Sequence, residues 1–261
     1  MSFIGRPKLL GETRRAKILE WLQEEGSARV RTLAEAFEVS EVTVRQDLER
    51  LEAEGHIERE HGGAFLKSVP QQVRSMALQH QENLQAKQRI GRVAAGLVGN
   101  GQTLILDSGS TTTEVAANLL GYRDMTVITN ALNIALMLGA ESGFEVHMTG
   151  GHFKAPTLSL SGERSADYFK GLFAQTLFLA TAAVDVEAGL TFPALSDISV
   201  KRAMIAAAET VILVADSSKI GVRSFSSLGG LDLVNTLVTD EGIRDEHRAA
   251  ITAAGVKVII A

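Results

Sequence analysis

Cysteine is missing from all 261 positions, which excludes disulfides, thiolate zinc sites and cysteine nucleophiles in one step. Long apolar runs are missing too. No window of about 18 uncharged apolar residues occurs, so neither a membrane span nor a membrane partner is expected. The opening MSFIGRPKLLGETRR carries basic residues without an apolar core behind them, so no secretory signal and a cytoplasmic location are expected. Positive charge is in deficit: 26 Lys and Arg face 31 Asp and Glu, a formal charge of −5. That balance argues against indiscriminate polyanion binding while leaving room for a locally basic face. No repeat of fixed period is visible. What remains is an ordinary globular composition, 45% hydrophobic and 22% charged, long enough for one large domain or for a small one plus a medium one.

Two textures divide the chain. Residues 1–66 are rich in Arg and Glu and read as short helices. From about residue 90 onward, strand-like and helix-like segments alternate at short spacing, the pattern of an α/β layer fold. Between them, KSVPQQVRSMALQHQENLQAKQ is polar and glutamine-rich. The expected organisation is a small domain over 1–66, a linker helix over 67–90 and an α/β domain over 91–261.

In the first region, RRAKILEWLQEEG places Ile18, Leu19 and Leu22 on one stripe with Trp21 beside it, and Gly26 ends the helix. VRTLAEAFEV gives a second helix with Leu33, Ala34 and Phe37 inward. SEVTVRQDLERLEAEG gives a third, with Ser40 as N-cap, Gly55 as terminator and Val44, Leu48 and Leu51 buried. Thr43, Arg45, Gln46 and Arg50 are left facing outward. HIEREHGGAFL alternates around Ile57 and Phe65 with Gly62-Gly63 at the reversal, which reads as a β-hairpin wing. Together these describe a winged helix-turn-helix. Its third helix fits a major groove about 12 Å wide, where Arg and Gln reach guanine and adenine edges. Arg59 and His61 of the wing would meet phosphate or the minor groove. The alternative is a solvated helical hairpin whose Arg residues pair with Glu. Residues 1–66 hold ten Lys and Arg against thirteen Asp and Glu, so a DNA reader here must segregate its basic residues to one face.

In the second region, strands are expected near 102–107, 125–129, 145–149, 176–182, 210–215, 234–239 and 256–260, with helices near 111–120, 131–140, 199–208 and 243–253. Such alternation implies a mostly parallel sheet covered on both faces. Ligands of these sheets bind outside the carboxyl ends of the strands. LILDSGSTTTEVAANLL puts Asp107, Ser108, Gly109, Ser110, Thr111 and Thr112 between a strand end and a helix start, where backbone N–H groups, the helix dipole and hydroxyls suit a phosphate. A plain capped turn is the competing reading. The stretch has neither dinucleotide glycine spacing nor a P-loop Gly-Lys pair, so no nucleotide cofactor is expected. Other expected strand ends add Thr129-Asn130, Gly150-Gly151 with Lys154, Asp185, and Asp216 with Lys219. Singly, each reads as a turn residue or a solvated charge. His147 and His152 are not expected to hold a metal.

Two sets of motifs carry a resemblance. The recognition helix VSEVTVRQDLERLE and the wing REHGGA are similar to the DNA-binding domain of DeoR-type bacterial transcriptional regulators. LDSGSTTTEVA, TVITNALNIA, TGG, VKRAMI and VADSSKIG resemble the effector domain of the same regulators, a fold shared with ribose-5-phosphate isomerase and glucosamine-6-phosphate deaminase. Glu38 and Gln46 depart from the family, which usually has glycine and arginine there. The resemblance implies a phosphorylated sugar effector held by the 107–112 loop, Thr129-Asn130, Gly150-Gly151 and Lys219, with Lys201 as an addition. It also implies operator DNA as partner and a homo-oligomer, dimer or tetramer, acting as a repressor in carbohydrate metabolism. In FLATAAVDVEAGLT, alanines 180, 182 and 183 stand where a related isomerase has glycine and acid, which leaves Asp185 as the remaining carboxylate, with Glu187 read as solvent-facing. Alanine cannot take a proton, so a sensor without catalytic residues is expected rather than an enzyme. A sugar-phosphate isomerase or deaminase with a DNA-binding appendage stays open as the alternative, as does a regulator sensing a non-phosphorylated ligand or a partner protein.

Overall fold

Apolar residues at helical spacing commit the first segments to three helices, α1 (Gly11–Glu25), α2 (Val30–Ala36) and α3 (Glu41–Ala53). The computed structural model describes residues 11–25, 27–60, 63–66 and 80–261. Ile18, Leu22, Leu33, Val44, Leu48 and Leu51 are buried together, with Leu19, Trp21 and Phe37 packed at the margin. Trp21 meets Phe37 edge-on, 6.4 Å between ring centroids. The Ser40 hydroxyl accepts the Thr43 N–H at 3.1 Å and so caps α3. Strands β1 (Ser27–Arg29), β2 (Ile57–Glu60) and β3 (Gly63–Leu66) form an antiparallel sheet in the order β1-β3-β2. β2 and β3 are the wing. β1, lying between α1 and α2, is too short to leave a sequence signal. The wing's reversal, with His61 and Gly62, lies outside the described residues, as does most of the expected linker.

The second unit is built on seven parallel strands: β4 (Thr103–Leu106), β5 (Met125–Thr129), β6 (Phe144–Met148), β9 (Ala174–Ala180), β12 (Ala208–Val214), β14 (Thr236–Thr239) and β15 (Lys257–Ile260). All seven fall where apolar runs place them. Their order, β15-β14-β12-β9-β4-β5-β6, reverses direction between β4 and β9. Period-two alternation sorts the side chains into two cores. Leu104, Leu106, Val127, Phe178 and Val214 face α4 (Leu84–Ala95), α5 (Ser110–Leu119) and α6 (Leu132–Gly139). Ile105, Ile128, Leu177, Leu179 and Leu213 face the opposite layer, which includes α8 (Ile198–Ala206) and α9 (Asp245–Ala253).

Smaller elements escape the sequence reading. The hairpin β7 (His152–Lys154) and β8 (Ser159–Ser161) and the short helix α7 (Glu163–Asp167) follow β6. An antiparallel sheet of β10 (Ala183–Asp185), β11 (Gly189–Phe192) and β13 (Ser226–Gly229) packs into the second core through Val184, Leu190, Phe192 and Leu228. The division of the chain also differs from the expectation. The compact units are Met1–Glu82 and Asn83–Ala261. Residues 84–90, read as the end of a linker helix, are helical and begin α4, whose Ile90, Ala94 and Ala95 enter the first core. Its glutamine-rich outer face conceals that stripe. Gly91 lets α4 cross α5 at contact distance, because a Cβ there would fall 2.6 Å from the Glu114 carbonyl carbon. Among the described residues no helix is long and apolar enough to cross a membrane.

The turn before α3 holds Glu38 at φ 52°, a left-handed conformation that costs a residue with a Cβ about 1–2 kcal/mol. Glycine would relieve that strain and return part of the gain as unfolded-chain entropy, about 0.5–1 kcal/mol. Glu38→Gly is therefore expected to stabilise the first unit by about 0.5–1 kcal/mol, read as a raised urea midpoint of its unfolding transition. A lowered midpoint would contradict the strain.

Candidate functional site

The outward face of α3 carries Arg45, Gln46 and Arg50 exposed, with Thr43 half-buried and its hydroxyl 2.8 Å from that of Ser40. Arg45 pairs with Glu41 one turn earlier at 2.5 Å. Arg59 is drawn onto α3 by Glu52 at 2.7 Å and Glu49 at 3.3 Å. Exposed pairs of this kind are worth about 0–1 kcal/mol, so an incoming anion can displace them. Gln46 and Arg50 make no side-chain hydrogen bond among the described residues.

Asp47 is the feature that sequence reasoning missed. It lies buried on α3, where its carboxylate takes Arg14 at 2.5 Å and Arg15 at 3.4 Å from α1. The two arginines neutralise an acid that would otherwise face the recognition surface. Arg14, Arg15, Thr43, Gln46 and Arg50 thereby share one cleft of about 520 Å³. This is a concentration of basic groups that the domain's acidic composition hides. The available signal was the Arg14-Arg15 doublet opposite a lone Asp on an otherwise apolar helix stripe.

In the second unit, the reversal of strand order places the end of β4 beside the end of β9, and open sheets of this kind bind ligands at such a point. The turn 107–109 begins with Asp107, which is wholly buried. Its carboxylate pairs with the Lys201 ammonium from α8 and accepts the N–H groups of Ser108 at 2.8 Å and Ala180 at 3.1 Å. Burial pushes the Asp107 carboxyl above its ordinary range, while Lys201 and the two amides pull it back. Lys201 also lies 3.4 Å from the Ala180 carbonyl and over the Phe192 ring, 4.7 Å from its centroid. Gly109 follows as the N-cap of α5 with no side chain capping it. A Cβ at Gly109 would strike that of Ala180 at 2.7 Å. Thr112 and Thr113 turn their hydroxyls back onto the Gly109 carbonyl, at 2.9 and 2.8 Å. The first amides of α5 are thus left without a side-chain cap.

The neighbouring strand ends divide into supports and open groups. The Thr129 hydroxyl donates to the Leu106 carbonyl at 2.7 Å and accepts the Ala131 N–H at 3.0 Å. Asn130 accepts the Ser108 N–H at 3.0 Å and donates to the Leu160 carbonyl at 3.1 Å, so it braces the turn. Asp185 is a turn residue. The Arg223 guanidinium, then the Ala188 and Glu187 amides, hold its carboxyl below the ordinary range. Lys154 is paired with Asp197 at 2.5 Å. Asp107, Thr129, Asn130, Asp185 and Lys201 therefore spend their polar side-chain atoms on the protein itself. Ser108 and Ser110 are partly exposed, Thr111 and Thr112 are buried, and Gly150 and Gly151 are exposed at the end of β6, two strands from β4. Lys219 ends the 3-10 turn Ser217–Lys219 beyond β12, two strand spacings or about 10 Å from β4. Among the described residues its ammonium makes no ion pair or hydrogen bond. His147 pairs with Glu145 at 3.1 Å, and the described residues contain no group of three or more His, Asp or Glu placed to hold a metal.

Residues 14–69 match the model of the DeoR-like helix-turn-helix domain, and residues 82–241 match that of the DeoR C terminal sensor domain. The chain is 33% identical over 251 residues to the HTH-type transcriptional regulator GlpR of Haloferax volcanii, covering 96% of this chain and 98% of that one. It is 33% identical over 229 residues to the HTH-type transcriptional repressor GlcR of Bacillus subtilis, covering 88% of each. Against the glycerol-3-phosphate regulon repressor of Escherichia coli the identity is 32% over 227 residues, with 85% and 88% covered. Among solved structures, the sorbitol operon regulator SorC of Klebsiella pneumoniae aligns over 91% of this chain and 97% of its own at 12% identity, with a TM-score of 0.39.

Removing one partner of a buried ion pair strands the other charge at a cost of about 3–5 kcal/mol. Lys201→Met is expected to lose that much in urea unfolding. Its Asp107 carboxyl should then bind a proton more readily folded than unfolded, so the deficit shrinks as pH falls from about 8 to about 5. Asp107→Asn combined with Lys201→Met should recover most of the loss. A deficit below about 1 kcal/mol for Lys201→Met would show that the pair braces nothing.

Proposed function

The chain belongs to the DeoR family of transcriptional regulators, and on that premise we propose that it represses carbohydrate-catabolism genes until a phosphorylated sugar releases it from operator DNA. Its relatives are named as regulators and repressors, and it is not an enzyme. The observation that carries the reading is the uncapped start of α5 at the strand-order reversal, in the same chain as a helix-turn-helix. A phosphoryl group suits that start, where free amides and the positive end of the helix dipole coincide. Ser108, Ser110 and the Gly150-Gly151 backbone supply further polar contacts, and Lys219 supplies the countercharge. Asp107, Asn130 and Lys201 hold the turn in shape rather than touch the sugar.

On the DNA side, Gln46 and Arg50 reach base edges from the major groove, and Thr43, Arg45 and Arg59 meet the backbone once their glutamate pairs open. His61 joins them as a wing residue. A slightly acidic reading domain binds weakly alone, so two copies on paired half-sites are needed, which makes the protein a homo-oligomer acting in the cytoplasm. The sugar phosphate lowers operator affinity only by its preference for the released arrangement, typically about 1–3 kcal/mol.

Arg50→Ala is expected to weaken operator binding by about 1–3 kcal/mol and leave effector binding intact, as read by gel shift and calorimetry. Lys219→Ala should do the reverse, raising the sugar-phosphate concentration for half-release by about tenfold or more at unchanged operator affinity. Operator mobility indifferent to every phosphorylated sugar tried would refute the switch.

A further inference from the structure

Asn83, the first residue of the second unit, stands at φ 52° and ψ 32° immediately before α4. Its side chain does not cap its own helix. Instead its amide donates to the Asp216 carboxylate at 2.9 Å and lies 3.3 Å from the Ser218 hydroxyl oxygen. Asp216 is 2% exposed and is itself the N-cap of the turn that ends in Lys219. The carboxylate oxygen that Asn83 holds also accepts the Ser218 N–H at 3.2 Å and the Ser218 hydroxyl. One buried oxygen thus joins the entry of the second unit to the Lys219 turn. A second tether, Arg89 to Glu241 at 2.9 Å, is exposed and correspondingly weak.

We propose that Asn83 is the coupling residue of the switch: it ties the segment arriving from the DNA-binding unit to the turn that presents Lys219. The inference rests on the reading that Lys219 receives a phosphoryl group. Two observations give it direction. Lys219 has no partner among the described residues, so an anion drawn to the start of α5 pulls on an uncommitted ammonium and on the turn behind it. The helix that starts at the other half of the anion site also touches α4, because α4 meets the body of α5 in close contact at Gly91 and Glu114. α4 therefore senses both jaws, Lys219 through Asn83 at its start and α5 through Gly91 in its middle. A left-handed backbone alone would be served by glycine. Asparagine tolerates it as well and adds the amide that reaches Asp216.

Asn83→Gly keeps that backbone and deletes only the amide, which separates coupling from folding. The test uses the full-length protein, an operator fragment and three probes: ribose 5-phosphate, glucose 6-phosphate and glycerol 3-phosphate. The expected variant binds operator alone within about twofold of wild type and binds the effective probe within about threefold. Its ratio of operator Kd with and without probe falls at least about fivefold toward unity. A wild-type ratio in the variant overturns the proposal. So does loss of operator or probe binding by the variant alone, which would make Asn83 a folding residue. If no probe releases the wild-type protein, the functional reading itself falls and this inference with it, whereas a responsive wild type with an equally responsive variant removes only the inference.

Discussion

A carboxylate sealed from water needs a countercharge or a full set of hydrogen-bond donors, and Asp107 has both. Lys201 reaches it from α8, while amides from its own turn and from β9 fill the remaining lone pairs. The pair lies where the sheet reverses its strand order, so it fastens together β4, β9 and α8, elements from both halves of the fold. With Asp107 fixed, Ser108 and Gly109 have one course available. Ala180 closes one side of Gly109, and Thr112 and Thr113 grip its carbonyl from above. The start of α5 is consequently braced and without a side-chain cap. A preorganised anion site has those properties, because nothing needs to be reordered when the ligand arrives.

The DNA-binding unit solves a different electrostatic problem. Its composition is acidic, yet its reading face is not. Asp47 is sunk beneath Arg14 and Arg15, and the glutamates near the surface are engaged with Arg45 and Arg59. Such surface pairs cost little to exchange for phosphate contacts. Under the proposed switch, modest intrinsic affinity would suit a repressor that must let go in response to a coupling of about 1–3 kcal/mol.

Much of this was legible in the sequence because burial writes itself in periods. The 3.6-residue stripes of α1 to α3 and the seven apolar runs of the parallel sheet are present in the chain as it stands. So was the turn that begins at Asp107, where an apolar run stops at an acid and a helix follows, although the helix starts at Ser110. What stayed hidden were long-range partnerships. Asp185 read as a rim residue and Lys201 entered only through the family resemblance, but Lys201 is buried on Asp107 and Asp185 closes a tight turn with Arg223. Asn83 looked like linker, since a single polar residue carries no sign of a partner 133 positions away. Short strands such as β1 and β10 lack the length to show alternation at all.

The most direct measurement follows the backbone amides of Ser110, Thr111 and Thr112 by heteronuclear NMR during titration with a phosphorylated sugar and with the same sugar lacking phosphate. A preformed anion site at the start of α5 predicts saturable shifts of these three amides with the phosphorylated compound and none with its unphosphorylated counterpart. Equal responses to both, or shifts confined to other parts of the sheet rim, would contradict it.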